Sequence, residues 1–263
     1  MGSFSSKDLT PMTPNDYASE WGQSSNDHKA HSDYTWIASQ LDKPSLVLEI
    51  GCGNGNGSEE VLRLGAKLVC VEINQYLIEK ALVNLDLAGY KTSVITLEQI
   101  QNIDLSSDID CFIVHCSIFE QELNSLAKKL QFDYILFSFF GSAPIHAAEE
   151  LGQPLDNLDS SYARHYREKA TVRAHELKSM SSLNCKLCVV DRLQQPPGHS
   201  KYDIRNVYAE DLSSRLSISK DQLTIRTKVN TAMSKPTSSS MQYINDGSLG
   251  RKPGIPLIAI ALI

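Results

Sequence analysis

Residues 45–64 constrain this chain more than any other stretch. The apolar run Ser45-Leu46-Val47-Leu48-Glu49-Ile50 is broken by Gly51-Cys52-Gly53-Asn54-Gly55-Asn56-Gly57, and apolar residues then return at helical spacing as Val61, Leu62 and Leu64. The order reads strand, glycine turn, helix. Ser58 is the expected N-cap, with Glu59 and Glu60 in the first turn and Gly65 as the stop. Glycines at 51, 53 and 55 let a chain leaving a buried strand turn sharply and let a ligand touch its backbone, where side chains would block the approach. The next apolar run, 67–73, carries Glu72, whose carboxylate can accept two hydrogen bonds from a ribose diol.

The rest of the chain alternates in the same way. Residues 75–87 read as a helix closed by Gly89, 92–97 as a short strand, and the polar residues up to 110 as an insertion. Strands are expected at 111–119 and at the continuous apolar run 132–140, with a helix at 121–130 between them. A helix at 161–182, a strand at 184–193, a helix at 208–216 and two successive strands at 223–231 and 256–263 complete the pattern. Alternating β and α units specify a doubly wound, mostly parallel sheet, and the final strand pair without a helix implies a reversed last strand. Tyr17, Trp21, Tyr34 and Trp36 suggest a short N-terminal helical cap. The expected division is a flexible tail at 1–15, the cap at 16–44 and the α/β domain at 45–263.

Composition limits the function classes. A chain of 263 residues with 41% hydrophobic and 21% charged residues suits one packed domain rather than a disordered one. A net charge of -6 gives no field to draw in a polyanion, which argues against duplex DNA as a partner. Six scattered cysteines suit a reducing, cytoplasmic compartment, and Cys185-x-x-Cys188 lies in an apolar run where packing explains it without a metal. No apolar stretch approaches the roughly 20 residues of a membrane span, and the start lacks the apolar core of a secretory signal. Met1-Gly2-Ser3-Phe4-Ser5-Ser6 fits an N-myristoylation pattern but reads more simply as a loose polar tail.

The loop and Glu72 together resemble the class I S-adenosylmethionine-dependent methyltransferases, a Rossmann-like family. Glu49 stands in the acidic position of that family's Asp/Glu-x-Gly-x-Gly-x-Gly motif, and Glu72 in that of its acidic ribose-binding residue. The resemblance implies that Glu49, Gly51, Cys52, Gly53, Asn54 and Gly55 border the methionine part of the donor. Glu72 would bind the ribose, and Ile73 and Asn74 would lie beside the adenosine. Ser117, Ile118 and Phe119 stand where the family meets adenine, with Ser117 replacing the usual acidic residue, and Ser138 ends the fourth strand of the motif order. A nicotinamide-dependent dehydrogenase is the rival, but its Gly-x-Gly-x-x-Gly fingerprint read from Gly51 meets Asn56 at the third glycine. Ser138-Phe139-Phe140-Gly141 lacks the Asn/Asp-Pro-Pro-Tyr/Phe motif of amino-modifying DNA methyltransferases, which argues against base methylation.

A sulfonium leaving group already activates the methyl, so positioning supplies most of the catalysis and a general base is optional. His146, His165, Tyr166 and His199 are the candidates, each with a solvated surface side chain as the simpler alternative. The segments 141–160, 194–206 and 232–254 leave carboxyl ends of parallel strands and would gather over the methyl with the cap. Tyr17, Trp21, Tyr34 and Tyr243 would form apolar walls, and Lys201, Arg205, Lys235 and Arg251 could meet an anionic acceptor. The expected activity is methylation of oxygen or nitrogen on a small molecule, without a metal. Alternatives are a methyltransferase acting on a protein side chain or RNA, and a protein that binds the donor without turnover.

Overall fold

In the computed structural model the described residues are 12–158, 161–230 and 254–263. Most of the expected tail, the Met1-Gly2 start, Tyr243, Lys235, Arg251 and the segment 232–253 lie outside them. The chain begins with α1 (Pro14–Ala30) and α2 (Asp33–Ala38), followed by β1 (Leu46–Ile50), α3 (Asn56–Leu62), β2 (Lys67–Glu72) and α4 (Gln75–Leu87). Next come β3 (Thr92–Ile95), β4 (Cys111–His115), α5 (Glu122–Leu130), β5 (Tyr134–Ser138), α6 (Pro144–Leu151) and α7 (Tyr162–Met180). The chain closes with β6 (Lys186–Gln195), α8 (Lys201–Leu216), β7 (Thr224–Val229) and β8 (Ile255–Leu262). Among these residues no helix is long and apolar enough to cross a membrane.

One eight-stranded sheet runs β3-β4-β2-β1-β5-β6-β8-β7. β8 is antiparallel to both neighbours, and the other recorded pairings are parallel, as the alternating pattern and the closing strand pair require. The order reverses at β1, where β2 lies on one side and β5 on the other, so the crevice for a ligand opens above the end of β1. Successive residues of a strand face opposite sides, and both sides are covered. Leu46, Leu48 and Ile50 pack with Leu123 and Leu126 of α5, Leu177 of α7 and Leu212 of α8. Val47, Leu68 and Cys70 pack with Trp21, Ile37, Val61 and Leu77 of the first four helices.

Several local expectations are corrected. The cap helix starts at Pro14, two residues before the expected boundary, because Thr13 and Asp16 form a reciprocal capping box ahead of a proline at N1. Ser58 does not cap α3: Gly55, at φ 81°, holds that position, and the Ser58 hydroxyl is turned inward to Glu49. α8 begins at Lys201 rather than 208, again from a capping box, formed by Ser200 and Asp203. Residues 92–95 are the sheet's edge strand, and the polar stretch that follows them opens with a 3-10 turn at Leu97–Asn102. β4 ends at His115, which leaves Ser117 to Phe119 in the loop beyond the strand.

Candidate functional site

Gly51, Gly53 and Gly55 all sit at positive φ, at 75°, 57° and 81°. Consecutive side chains could not follow this path without strain, so the sequence at this turn is dictated by its backbone. Two carboxylates lie beneath it. Glu49, 2% exposed, accepts the Ser58 hydroxyl at 2.5 Å and faces the Cys70 thiol at 3.6 Å. Glu72, 6% exposed, accepts the backbone N–H of Gly53 at 3.1 Å and of Asn74 at 2.9 Å. Burial pushes both carboxyls up to about 7, against the hydrogen bonds that favour their charged forms. Asn54 is pinned as well, its side chain accepting from Ser25 at 2.6 Å and its carbonyl from Asn84 at 2.8 Å. The Cys52 thiol is buried beside these groups, and its acidity is suppressed by the neighbouring Cys70 and by burial.

The opposite wall is aromatic. A side chain added at Gly53 would run into Trp21 Nε1, one added at Gly51 would come within 2.9 Å of the Phe140 ring, and one at Gly141 within 2.8 Å of the Tyr17 hydroxyl. Phe140 stacks on Phe137 and Tyr166, with ring centroids 4.6 and 5.5 Å apart. The Arg192 guanidinium lies over both Trp21 (5.3 Å) and Phe139 (5.0 Å). Phe139 itself has φ 47° and stacks on His28 at 4.5 Å. The fully buried Asp33 holds His28 Nδ1 at 2.8 Å and Lys228 at 2.7 Å, which ties α1, α2 and β7 together. Burial lowers the His28 pKa, and the hydrogen bond from His28 helps to hold Asp33 below the usual carboxylate range despite burial. Arg167 of α7 donates to the Phe140 carbonyl at 2.7 Å and pairs with Asp191, which fixes the turn after β5. The cavity left between the walls, lined among others by Gly51, Glu72, Ile73, Ile118, Phe140 and Tyr166, is about 20 Å³. That is room for about one water.

The residues expected to meet adenine sit at the cavity's far corner. Ser117 donates to Glu150 of α6 at 2.5 Å and accepts the Phe119 N–H at 3.2 Å. Ile118 is packed in the core, whereas Phe119 is half-buried and meets Tyr166 edge-on at 5.9 Å. Asn74 caps α4 through the Tyr76 N–H at 3.0 Å and donates to Pro14 at 2.9 Å, so it ties this corner to the cap helix. The Ile73 carbonyl lies 3.1 Å from His115 Nε2. Ser138 Oγ, at the end of β5, is buried with no hydrogen-bond partner among the described residues.

Of the four proposed bases only Tyr166 borders the cavity, and burial pushes its phenol far up, so it is held as a neutral donor. His146 lies on α6 one turn before Glu150, its Nδ1 buried and without a partner among the described residues, and burial lowers its pKa. His165 and His199 are exposed and away from the cavity lining. Lys201 is likewise exposed, while Arg205 donates to Thr227. Sequence reasoning did not anticipate Glu150, Arg167, Arg192 or the His28-Asp33-Lys228 set.

A family model described as a methyltransferase domain matches residues 48–130, which span the glycine loop, Glu72 and Ser117. No curated protein matches the chain. Among solved structures, an rRNA methylase from Streptococcus thermophilus aligns at 11% identity over 88% of this chain and 94% of that one, with a TM-score of 0.41. Magnesium protoporphyrin IX methyltransferase from Synechocystis PCC 6803 aligns at 14% identity over 90% and 79%, with a TM-score of 0.37. A protein provisionally named an O-methyltransferase, from Nostoc punctiforme PCC 73102, aligns at 12% identity over 100% and 64%, with a TM-score of 0.47. The matched methyltransferase domain supplies the loop and the buried carboxylate after it, on a mostly parallel sheet with one reversed strand.

Proposed function

We propose that this enzyme transfers the methyl group of S-adenosylmethionine to an oxygen or nitrogen of a small-molecule acceptor, in the cytoplasm. The observation that carries the reading is the enclosure of the glycine loop: Trp21 and Tyr17 from the cap and Phe140 from the β5 turn close over Gly53, Gly141 and Gly51. A site walled in this way suits an acceptor that can be swallowed whole, and a protein or RNA chain would need an open groove. Six buried, free cysteines suit a reducing compartment.

The donor, when bound, supplies a methyl on a positively charged sulfur. The chain's own part is to hold it. Gly51 and Gly53 would pass the methionine end close to the backbone, and Glu72 would exchange its bonds to Gly53 and Asn74 for the ribose hydroxyls. The unpartnered Ser138 Oγ fits a polar group of donor or acceptor near the reacting carbon. Because the cavity holds only about 20 Å³, Trp21 and Phe140 must move aside for the donor. Tyr166, held neutral by burial, would donate a hydrogen bond rather than take a proton.

Two measurements test this. Calorimetric titration should show binding of S-adenosylmethionine and none of NAD; the reverse would overturn the donor assignment. Incubation with radiolabelled S-adenosylmethionine and a cell extract, then separation by size, should put label in the small-molecule fraction. Label confined to protein or RNA would replace the acceptor class and leave the donor intact.

A further inference from the structure

A second hollow lies away from the donor cavity and shares no lining residue with it. α1 and α4 leave between them an open groove of about 620 Å³ that reaches the glycine loop at Asn54. That volume falls within the roughly 300–1,000 Å³ of small-ligand sites. Asn15, Ser19, Gln23 and Asn26 of α1 and Tyr76, Lys80 and Asn84 of α4 recur at three- and four-residue spacing, so each helix gives the groove one face. Side-chain amides dominate it. Asn84 gives its amide hydrogen to the Asn54 carbonyl at 2.8 Å and keeps its oxygen, and Asn26 accepts from Asn56 at 3.0 Å and keeps its amide hydrogens. Asn15, Ser19 and Gln23 make no side-chain hydrogen bond among the described residues. Lys80 is used on the Ala18 carbonyl at 2.9 Å and Glu79 accepts from Gln75 at 3.0 Å, so one cation and one carboxylate leave the groove without a net charge. Tyr76, 42% exposed, and Val83, 58% exposed, add a ring and an apolar edge.

An amide holds a donor and an acceptor side by side, so the ligand group that answers both at once must itself donate and accept. Vicinal hydroxyls of a sugar do this at every ring, and the C–H face of a sugar ring covers an exposed phenol ring that a wholly polar partner would leave wet. A polyanion finds no surplus of cations here. We propose that the groove between α1 and α4 binds a neutral saccharide, with hydroxyls on the amides and one sugar ring against Tyr76. The face of α1 from Asn15 to Asn26 is about 16 Å long, which suits a short oligosaccharide better than a single sugar.

The test is titration of the isotope-labelled protein with maltotriose, cellotriose and tri-N-acetylchitotriose, followed through its amide resonances. At least one of these sugars should shift signals of α1 and α4 around the groove, the side-chain amides of Gln23 and Asn26 among them, with a dissociation constant of about 1 mM or tighter. Tyr76→Ala should weaken that binding about tenfold and Gln23→Ala about threefold, the worth of one ring contact and of one net hydrogen bond. Both side chains are exposed, so their removal leaves the fold in place. Tyr202→Ala, which removes an exposed ring from α8, should bind as wild type does. Absence of shifts with every sugar, shifts centred outside the groove, wild-type affinity in Tyr76→Ala or Gln23→Ala, or an equal loss in Tyr202→Ala overturns the proposal. Groove shifts with a single-stranded RNA hexamer and none with the sugars would overturn it in favour of a polyanion.

Discussion

Across the cavity, the loop wall and the cap wall are held by different forces. On the loop wall, Glu72 ties Gly53 to Asn74, Ser58 ties α3 to Glu49, and Asn84 and Ser25 tie down Asn54. These are directional bonds to backbone, to buried carboxylates or to the Asn54 amide, set in place by a turn that only glycine follows easily. On the cap wall, Phe139 stacks on His28, Phe140 stacks on Phe137, and Arg192 lies over Trp21 and Phe139, contacts that depend on area and charge more than on angle. A ligand can displace rings that slide more readily than it can rebuild a hydrogen-bonded turn. The difference points to a rigid loop wall and a cap wall that yields.

The largest effect is expected where the walls touch. Gly53→Val puts a β-branched residue at φ 57° and drives its side chain into Trp21. Donor affinity should drop by about a thousandfold, roughly 4 kcal/mol, with the circular dichroism spectrum retained. Unaltered calorimetric binding would mean that the donor does not sit at this turn. Next in size, Trp21→Ala removes a side chain only 9% exposed and should cost about 3 kcal/mol in chemical denaturation. Amide exchange should quicken in α1 and stay as it was in β1 and β2. Equal acceleration in the sheet would show that the two walls open as one unit and break the comparison.

The sequence made the loop wall readable and the cap wall only in outline, and the reason lies in the range of the forces. Strand, glycine turn and helix are written within 20 residues, and Glu72 follows at the end of the next apolar run, so local periodicity finds them. The start of α1 was also written locally, in the Thr13-Pro14-Asn15-Asp16 capping box, a signal the aromatic pattern overshadowed. Ser58 misled because a helix-start serine and a buried carboxylate compete for the same hydroxyl, and the desolvated Glu49 won. Ser117 and Glu150 are 33 residues apart, and Lys228 and Asp33 are 195 apart. Pairings of that kind depend on how helices dock on the sheet, which no short-range period encodes.

Acid-base behaviour sharpens the contrast at a smaller scale. Glu72 has a carboxyl raised to about 7 in the fold, so the folded state holds its proton more tightly than the unfolded chain does. Its contribution to stability is then full below the ordinary value near 4.5 and is lost as pH rises through about 7. His28 behaves oppositely: its lowered pKa means that stability is lost as pH falls below its ordinary 6.5. Between pH 5 and 8, Glu72→Gln should flatten the pH dependence of unfolding free energy by about 2 kcal/mol. A variant with the wild-type slope would place the titration elsewhere.

Ser58→Ala should have the smallest effect and the most local one. Its hydroxyl is the closest donor to Glu49, whose carboxyl burial has raised to about 7. At pH 8 the carboxylate is charged and the lost donor should cost about 1–2 kcal/mol, the range for a hydrogen bond to an ionised group that stays buried. At pH 5 Glu49 is protonated in the fold and much less charge is left unsatisfied, so the cost should fall below about half of that. Denaturant titrations at the two pH values measure the difference, and amide exchange in α1 should not change at either. A cost that is equal at both pH values would mean that Ser58 acts through packing, and the loop wall would then owe less to directional bonds than its geometry suggests.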